Sequence, residues 1–265
     1  MRPQELLPTK FLLAMLLLIL SAGFANAQTD RLPTRNPVAS KAIRQGNALY
    51  AKAEYDAAIA VYRRVPPGAG QSYAQSLYNI GVCYYELSRT EDAMVWYRQA
   101  IAARQGQYPL ALYALGVALE DQKRLPEAKE AYQQAITTSG DKHAAAHYRL
   151  GLLTAFAHNY EAAADLFKKA IALSRDQLPV SAASPDGQPG WGACHNNLGV
   201  VLALSGRLNE AKREFETALS QTHGTLPEVA DNLKLCRAML SSSAKAELAS
   251  LKLTEANART VVGDR

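Results

Sequence analysis

Gly46, Gly81, Gly116 and Gly151 follow one another at intervals of 35 residues, and Gly199 comes 48 residues after the last of them. The same intervals separate Ala58, Ala93, Ala128, Ala163 and Ala211, and again Tyr62, Tyr97, Tyr132, Phe167 and Phe215. Three residue types keeping one register through five copies mark a structural repeat, and a period of this length is that of a helical hairpin stacked on itself. One such hairpin cannot bury its apolar face alone. The chain is therefore constrained to an all-α array in which each unit completes its core against its neighbours.

Within a unit, Gly and Ala are always 12 apart and Ala and the aromatic residue 4 apart. Leu115, Gly116 and Leu119 share a face of the first helix (helix A), and Ala128, Tyr132 and Ala135 share a face of the second (helix B). Small residues let the helices approach closely, and the aromatic residue is expected to fill the space between one repeat and the next. The spacing predicts repeats at about 39–73, 74–108, 109–143, 144–178 and 191–225, and a capping helix at 226–240 whose Leu233 lies 35 after Leu198. A Pro-, Gly- and Ser-rich insertion at 178–190 accounts for the longer interval; it would serve as a binding element or as a spacer. Pro109 and Pro126 suit first turns. Thr90 and Asp141 are expected to cap helices, Gly140 to end one, and Pro66-Pro67 to stop helix B of repeat one early. Residues 28–38 read as a flexible lead and 241–265 as a marginal helix, with Leu248, Leu251 and Leu253 as its apolar side, followed by a disordered tail.

The first 27 residues have the pattern of a signal peptide. Arg2 and Lys10 precede an apolar run from Phe11 to Phe24, and Ala25-Asn26-Ala27 forms an A-x-A cleavage site before Gln28. The run of 14 residues falls short of the roughly 18–20 that a spanning helix requires. Cleavage and export to a periplasm or the exterior are expected, with an uncleaved inner-membrane anchor as the alternative. Without Arg2, Glu5 and Lys10 the net charge of +5 becomes +4, too mild and too dispersed to make nucleic acid a default partner. The basic residues of the helices B (Arg63-Arg64, Arg98, Lys168-Lys169, Lys212-Arg213) read as a solvated outer face. Cys83, Cys194 and Cys236 lack metal or redox spacing and are expected to be three free thiols.

Leu-Gly, then Ala-x-x-x-Tyr/Phe-x-x-Ala at these offsets, as in Ile80-Gly81…Tyr84…Ala93…Tyr97…Ala100, resembles the tetratricopeptide repeat. The period of 35 is one longer than that family's usual 34, the extra residue falling between repeats. The resemblance implies a right-handed α-solenoid whose helices A line a concave groove that binds other polypeptides. Carried onto this sequence, the groove is Asn47, Tyr50, Tyr78, Val82, Tyr85, Tyr113, Val117, Tyr148, Leu152, Asn196 and Val200. Tyrosines recurring in equivalent slots offer large contact area at low conformational cost, although each of them could equally pack against its own neighbouring helices. The Lys/Arg clamp by which some members of the family hold acidic C-terminal peptides is absent. An apolar, aromatic groove rimmed by Glu86, Glu120 and Asp121 suits an extended or helical segment with apolar anchors and some positive charge.

The sequence gives no reason to expect catalysis, metal or cofactor. His143 and His147 are four apart, but no carboxylate or thiol nearby in the pattern completes a ligand set, and His147 and His195 take a packing slot held elsewhere by Leu77 and Leu112. Nucleophile-elbow, zinc-protease and phosphate-loop motifs are missing. The expectation is an exported scaffold or adaptor that binds a partner protein in envelope or secretion machinery. The alternatives are an accessory or catalytic subunit of an envelope-polymer enzyme, and a membrane-tethered scaffold.

Overall fold

The computed structural model describes residues 36–177, 191–241 and 251–254. The expected signal segment, the expected cleavage site and the 178–190 insertion lie outside the described residues. The described residues from Val38 onward form one compact unit, and the described residues contain eleven α-helices and no strand.

Five hairpins and a final helix follow in order. They are α1 (Pro37–Tyr50) with α2 (Tyr55–Tyr62), α3 (Gln71–Glu86) with α4 (Thr90–Ala103), α5 (Pro109–Asp121) with α6 (Leu125–Thr138), α7 (Ala144–Phe156) with α8 (Tyr160–Gln177), α9 (Trp191–Leu204) with α10 (Leu208–Thr222), and α11 (Pro227–Ser241). From α2 onward each helix packs against those adjacent to it in sequence, and α9 also touches α7 and α11. This is an α-solenoid of helical hairpins. Helix α1 begins at Pro37, so the expected lead is helical over its last residues.

The repeating glycine and the repeating aromatic residue are partners. A methyl group on Gly81 would lie 2.6 Å from Tyr97 Cδ1, one on Gly116 2.5 Å from Tyr132 Cε1, one on Gly151 2.7 Å from Phe167 Cε1 and one on Gly199 2.6 Å from Phe215 Cε1. Carbon atoms in contact stand about 3.5–4.0 Å apart, so nothing larger than hydrogen fits beneath the ring. The aromatic residue therefore packs inside its own hairpin, against helix A of the same repeat, a contact that its spacing alone did not reveal. All five rings are buried, as are the alanines one turn before them.

The turn inside each hairpin places one residue in the left-handed region: Ala53, Ser88, Lys123, His158 and Gly206 have φ between 59° and 79°. They occupy one slot of the repeat, and only the last is the residue type that adopts this conformation without strain. Arg89, Arg124 and Arg207 come next, each paired with an acid three residues on: Asp92 at 2.7 Å, Glu127 at 2.7 Å and Glu210 at 2.8 Å. Helix α4 thus starts at Thr90 with Arg89 in the capping position, one residue before the expected cap. Helix α7 is capped by His143, whose Nδ1 accepts from the Ala146 amide at 3.3 Å, and not by Asp141. Asp141 instead sits at φ 66° and pairs with Lys169 and His147 at 2.5 and 2.9 Å. Helix α2 ends at Tyr62, and Pro66-Pro67 opens a short 3-10 turn, Pro67–Ala69. Cys83, Cys194 and Cys236 are free and buried. No described helix is long and apolar enough to cross a membrane.

Candidate functional site

In a stack of hairpins an internal helix A is covered by its own helix B, the preceding helix B and the flanking helices A. In α5 every residue from Ala111 to Leu119 is buried. That geometry decides the fate of the expected groove residues. Tyr78 and Tyr113 are core side chains: Tyr78 lies against Tyr97 and Tyr108 with ring centres 5.9 and 5.7 Å apart, and Tyr113 against Tyr132 and His143 at 5.7 and 4.9 Å. Val82, Val117, Leu152 and Val200 are buried beside them. The tyrosine row is therefore a structural spine along most of its length, its buried rings packed at a tilt against neighbouring aromatic residues.

Polar atoms at the helix A ends link one repeat to the next. Half-buried Tyr50 donates to Glu86 at 3.2 Å, and one repeat later Tyr85 donates to Asp121. Burial, and then the Glu86 carboxylate, push the Tyr50 hydroxyl well above its ordinary pKa, so it stays a donor. Exposed Asn47 accepts from Tyr62 at 2.7 Å and from Asn79 at 3.2 Å. Further along, the Arg149 guanidinium is buried 3.4 Å from Glu120, which also accepts from Tyr132 at 2.7 Å. Burial opposes the Arg149 charge, but Tyr113, Tyr132 and Glu120 more than offset it and raise its pKa.

Across α7, α9 and α11 the same helix A surface is occupied by the chain's own C-terminal segment. Leu251–Thr254 is non-helical, where a marginal helix was expected, and Leu251 and Leu253 pack against the C-terminal core. Asn232 holds Lys252 by both backbone groups: its Oδ1 accepts from the Lys252 amide at 3.0 Å and its Nδ2 donates to the Lys252 carbonyl at 2.8 Å. Asn197 does the same for Thr254, at 2.6 and 2.8 Å. Two residues apart, both presenting N–H and C=O to one side, is the periodicity of an extended chain. The Tyr148 hydroxyl adds a third contact, donating to the Thr254 carbonyl at 2.7 Å and accepting from Asn197 at 3.0 Å. Asn196 completes the network, donating to the Lys252 carbonyl at 3.2 Å and to the Thr254 hydroxyl at 3.0 Å while accepting from Asn232 at 2.9 Å. The Thr254 hydroxyl in turn donates to Glu228 at 3.0 Å.

Of the expected residues, the structure brings Tyr148 and Asn196 to this site, Tyr148 serving twice: its ring lies tilted against Phe167 with centres 5.8 Å apart while its hydroxyl meets the segment. Asn197, Asn232 and Glu228 were missed. The available signal was positional, because Asn79, Asn197 and Asn232 fall in one slot of the repeat, shared with Arg44, Ala114 and Arg149. The expected flank is thus not open along its whole length; its C-terminal part is filled from within the chain. The histidines stand apart from this network: His147 pairs with Asp141, and His195 with Glu214 at 2.6 Å. Burial pushes the His143 imidazole down to about 4, with His147 adding to the effect.

Residues 34–106 and 109–140 match tetratricopeptide repeat models. Comparison with the curated proteins finds no match. Among solved structures the chain is similar to a MamA protein, at 21% identity and TM-score 0.54 over 71% of this chain and 93% of that one. It is similar also to the PilF protein of Pseudomonas aeruginosa, at 16% identity and TM-score 0.57 over 81% and 95%, and to a tetratricopeptide repeat protein of Parabacteroides merdae, at 17% and 0.56 over 80% and 77%. At these identities the structural likeness speaks for the fold. The matched repeats, and the glycine–aromatic register that carries the same hairpin through all five copies, mark the described array as tetratricopeptide repeats.

Proposed function

We propose that this protein is an exported, non-catalytic scaffold whose helix A surface holds an extended segment of a partner protein, in envelope or secretion machinery. One observation carries the binding mode: Asn197 and Asn232, one repeat apart, each take a backbone N–H and C=O pair of a non-helical segment. Side-chain amides that bind main chain give affinity without demanding a particular sequence, as strand addition does at a sheet edge. The N-terminal groove, with Asn47, Tyr50, Asn79 and Tyr85, continues that surface towards the acidic rim of Glu86 and Asp121. The export reading rests on the signal-like segment at 1–27.

The test is site-directed photocrosslinking in intact cells. A photoreactive residue at Asn47 or Asn79 is expected to capture a partner polypeptide, while one at Arg98 on the outer helices B captures none. Adducts from Arg98 alone would overturn the groove assignment. N-terminal sequencing of the native protein is expected to begin at Gln28; a start at Met1 would instead support the membrane-tethered form.

A further inference from the structure

We propose that the groove across α7, α9 and α11 selects an extended segment of the form apolar–any–apolar–Thr/Ser, and that Leu251–Thr254 is a built-in copy of that ligand which the partner must displace. The inference rests on the groove reading above and adds the chemistry of the occupant.

Each position of the segment meets a different demand. Leu251 and Leu253 are half-buried against the core, whereas the Lys252 side chain is exposed and free to vary. Position 254 is the selective one. Thr254 is 9% exposed, and its hydroxyl is satisfied in both directions, accepting from Asn196 and donating to Glu228. Valine there would cost Asn196 one of its acceptors and Glu228 the Thr254 donor, and a site built to hydrogen-bond a hydroxyl rejects an isostere that lacks it. Aspartate or a phosphorylated residue would set negative charge against the Glu228 carboxylate. Because Asn232 holds Lys252 and Asn197 holds Thr254, the segment runs from α11 towards α7, against the order of the repeats.

The internal copy is suited to be displaced. Nine residues separate Ser241 from Leu251, and a short tether of this kind gives an effective concentration on the order of 1 mM. If four residues held by a few hydrogen bonds and two leucines dissociate at about 0.1 mM, the copy occupies the groove yet weakens an incoming segment by only about tenfold.

The experiment uses the full chain and a labelled peptide of residues 249–256, followed by fluorescence anisotropy. Leu251→Asp with Leu253→Asp releases the internal copy, and Thr254→Asp releases it by a second route should the first variant misfold, as judged by circular dichroism. Peptide binding is expected to tighten about tenfold in the released chain and to be lost when Asn197→Leu is added. A serine peptide at position 254 should bind like the threonine one, and a valine or aspartate peptide at least fivefold more weakly. Equal affinity for native and released chains, or indifference to valine, would overturn the inference. A dimer that disappears with the release substitutions would overturn its intramolecular part. Crosslinking from Asn47 and Asn79 is independent of the tail, so its failure would count against the groove reading itself.

Discussion

Gly116→Ala should destabilise this protein, although in most helix interiors the same change stabilises. Helix propensity favours alanine over glycine by about 1 kcal/mol. Against that, the new methyl would stand 2.5, 2.7 and 3.0 Å from three Tyr132 ring carbons, each well inside the contact distance of about 3.5 Å. Tyr132 has little freedom to withdraw: it is wholly buried, and its hydroxyl is fixed to Glu120 at 2.7 Å. Overpacking costs about 1–3 kcal/mol, and moving the ring also loosens a hydrogen bond to a carboxylate worth about 1.5–3 kcal/mol. The net expectation is a loss of about 1–3 kcal/mol, read as a lower urea midpoint at unchanged slope. In a Tyr132→Leu background the obstacle is gone, and Gly116→Ala should become neutral or stabilising by up to about 1 kcal/mol. The coupling between the two sites is then about 1–4 kcal/mol. A single Gly116→Ala variant that is more stable than the parent would refute the glycine–aromatic account of the repeat.

Three further outcomes follow from the buried polar groups. Because His143 is held down to about 4 in the fold, the unfolded chain takes up a proton near pH 6.5 that the folded chain refuses. Stability should fall as pH drops through that window, by about 2 kcal/mol between pH 7 and pH 5, and urea midpoints of His143→Asn, which keeps a capping acceptor, should show a flatter profile. Glu120→Ala strands the buried Arg149 charge and the Tyr132 hydroxyl, so it should cost about 3–5 kcal/mol, more than Arg149→Met, which removes the charge as well. In the groove, Asn232→Leu should free the Lys252 backbone and raise proteolytic nicking near residue 252, while the thermal midpoint of the hairpin array stays within a few degrees.

The hairpins were legible because glycine, alanine and aromatic residues answer to one local contact, and that contact recurs in every repeat. The face on which Tyr78 and Tyr113 act was not legible. Spacing places a residue on a helix, but an internal helix A has neighbours on every side, so a groove slot and a core slot look alike. Asn197 and Asn232 stayed hidden for a different reason. Their slot also holds Arg44, Ala114 and Arg149, so composition along it is mixed, and the inserted 178–190 segment separates Asn197 from the earlier copies. The C-terminal segment misled through Leu248 and Leu251, whose spacing of three suggests a helix, while the alternation of Leu251, Lys252 and Leu253 carried the extended conformation. Its partners are far away in sequence: Thr254 lies 57 positions after Asn197 and 106 after Tyr148.

The main-chain-binding role of the asparagines is tested most directly by amide hydrogen exchange along residues 251–254. The Lys252 and Thr254 amides, each donating to an asparagine side chain, should exchange about tenfold more slowly than those of Leu251 and Leu253, and that protection should vanish in Asn197→Leu/Asn232→Leu. Uniformly fast exchange at all four amides in the parent protein would contradict the account.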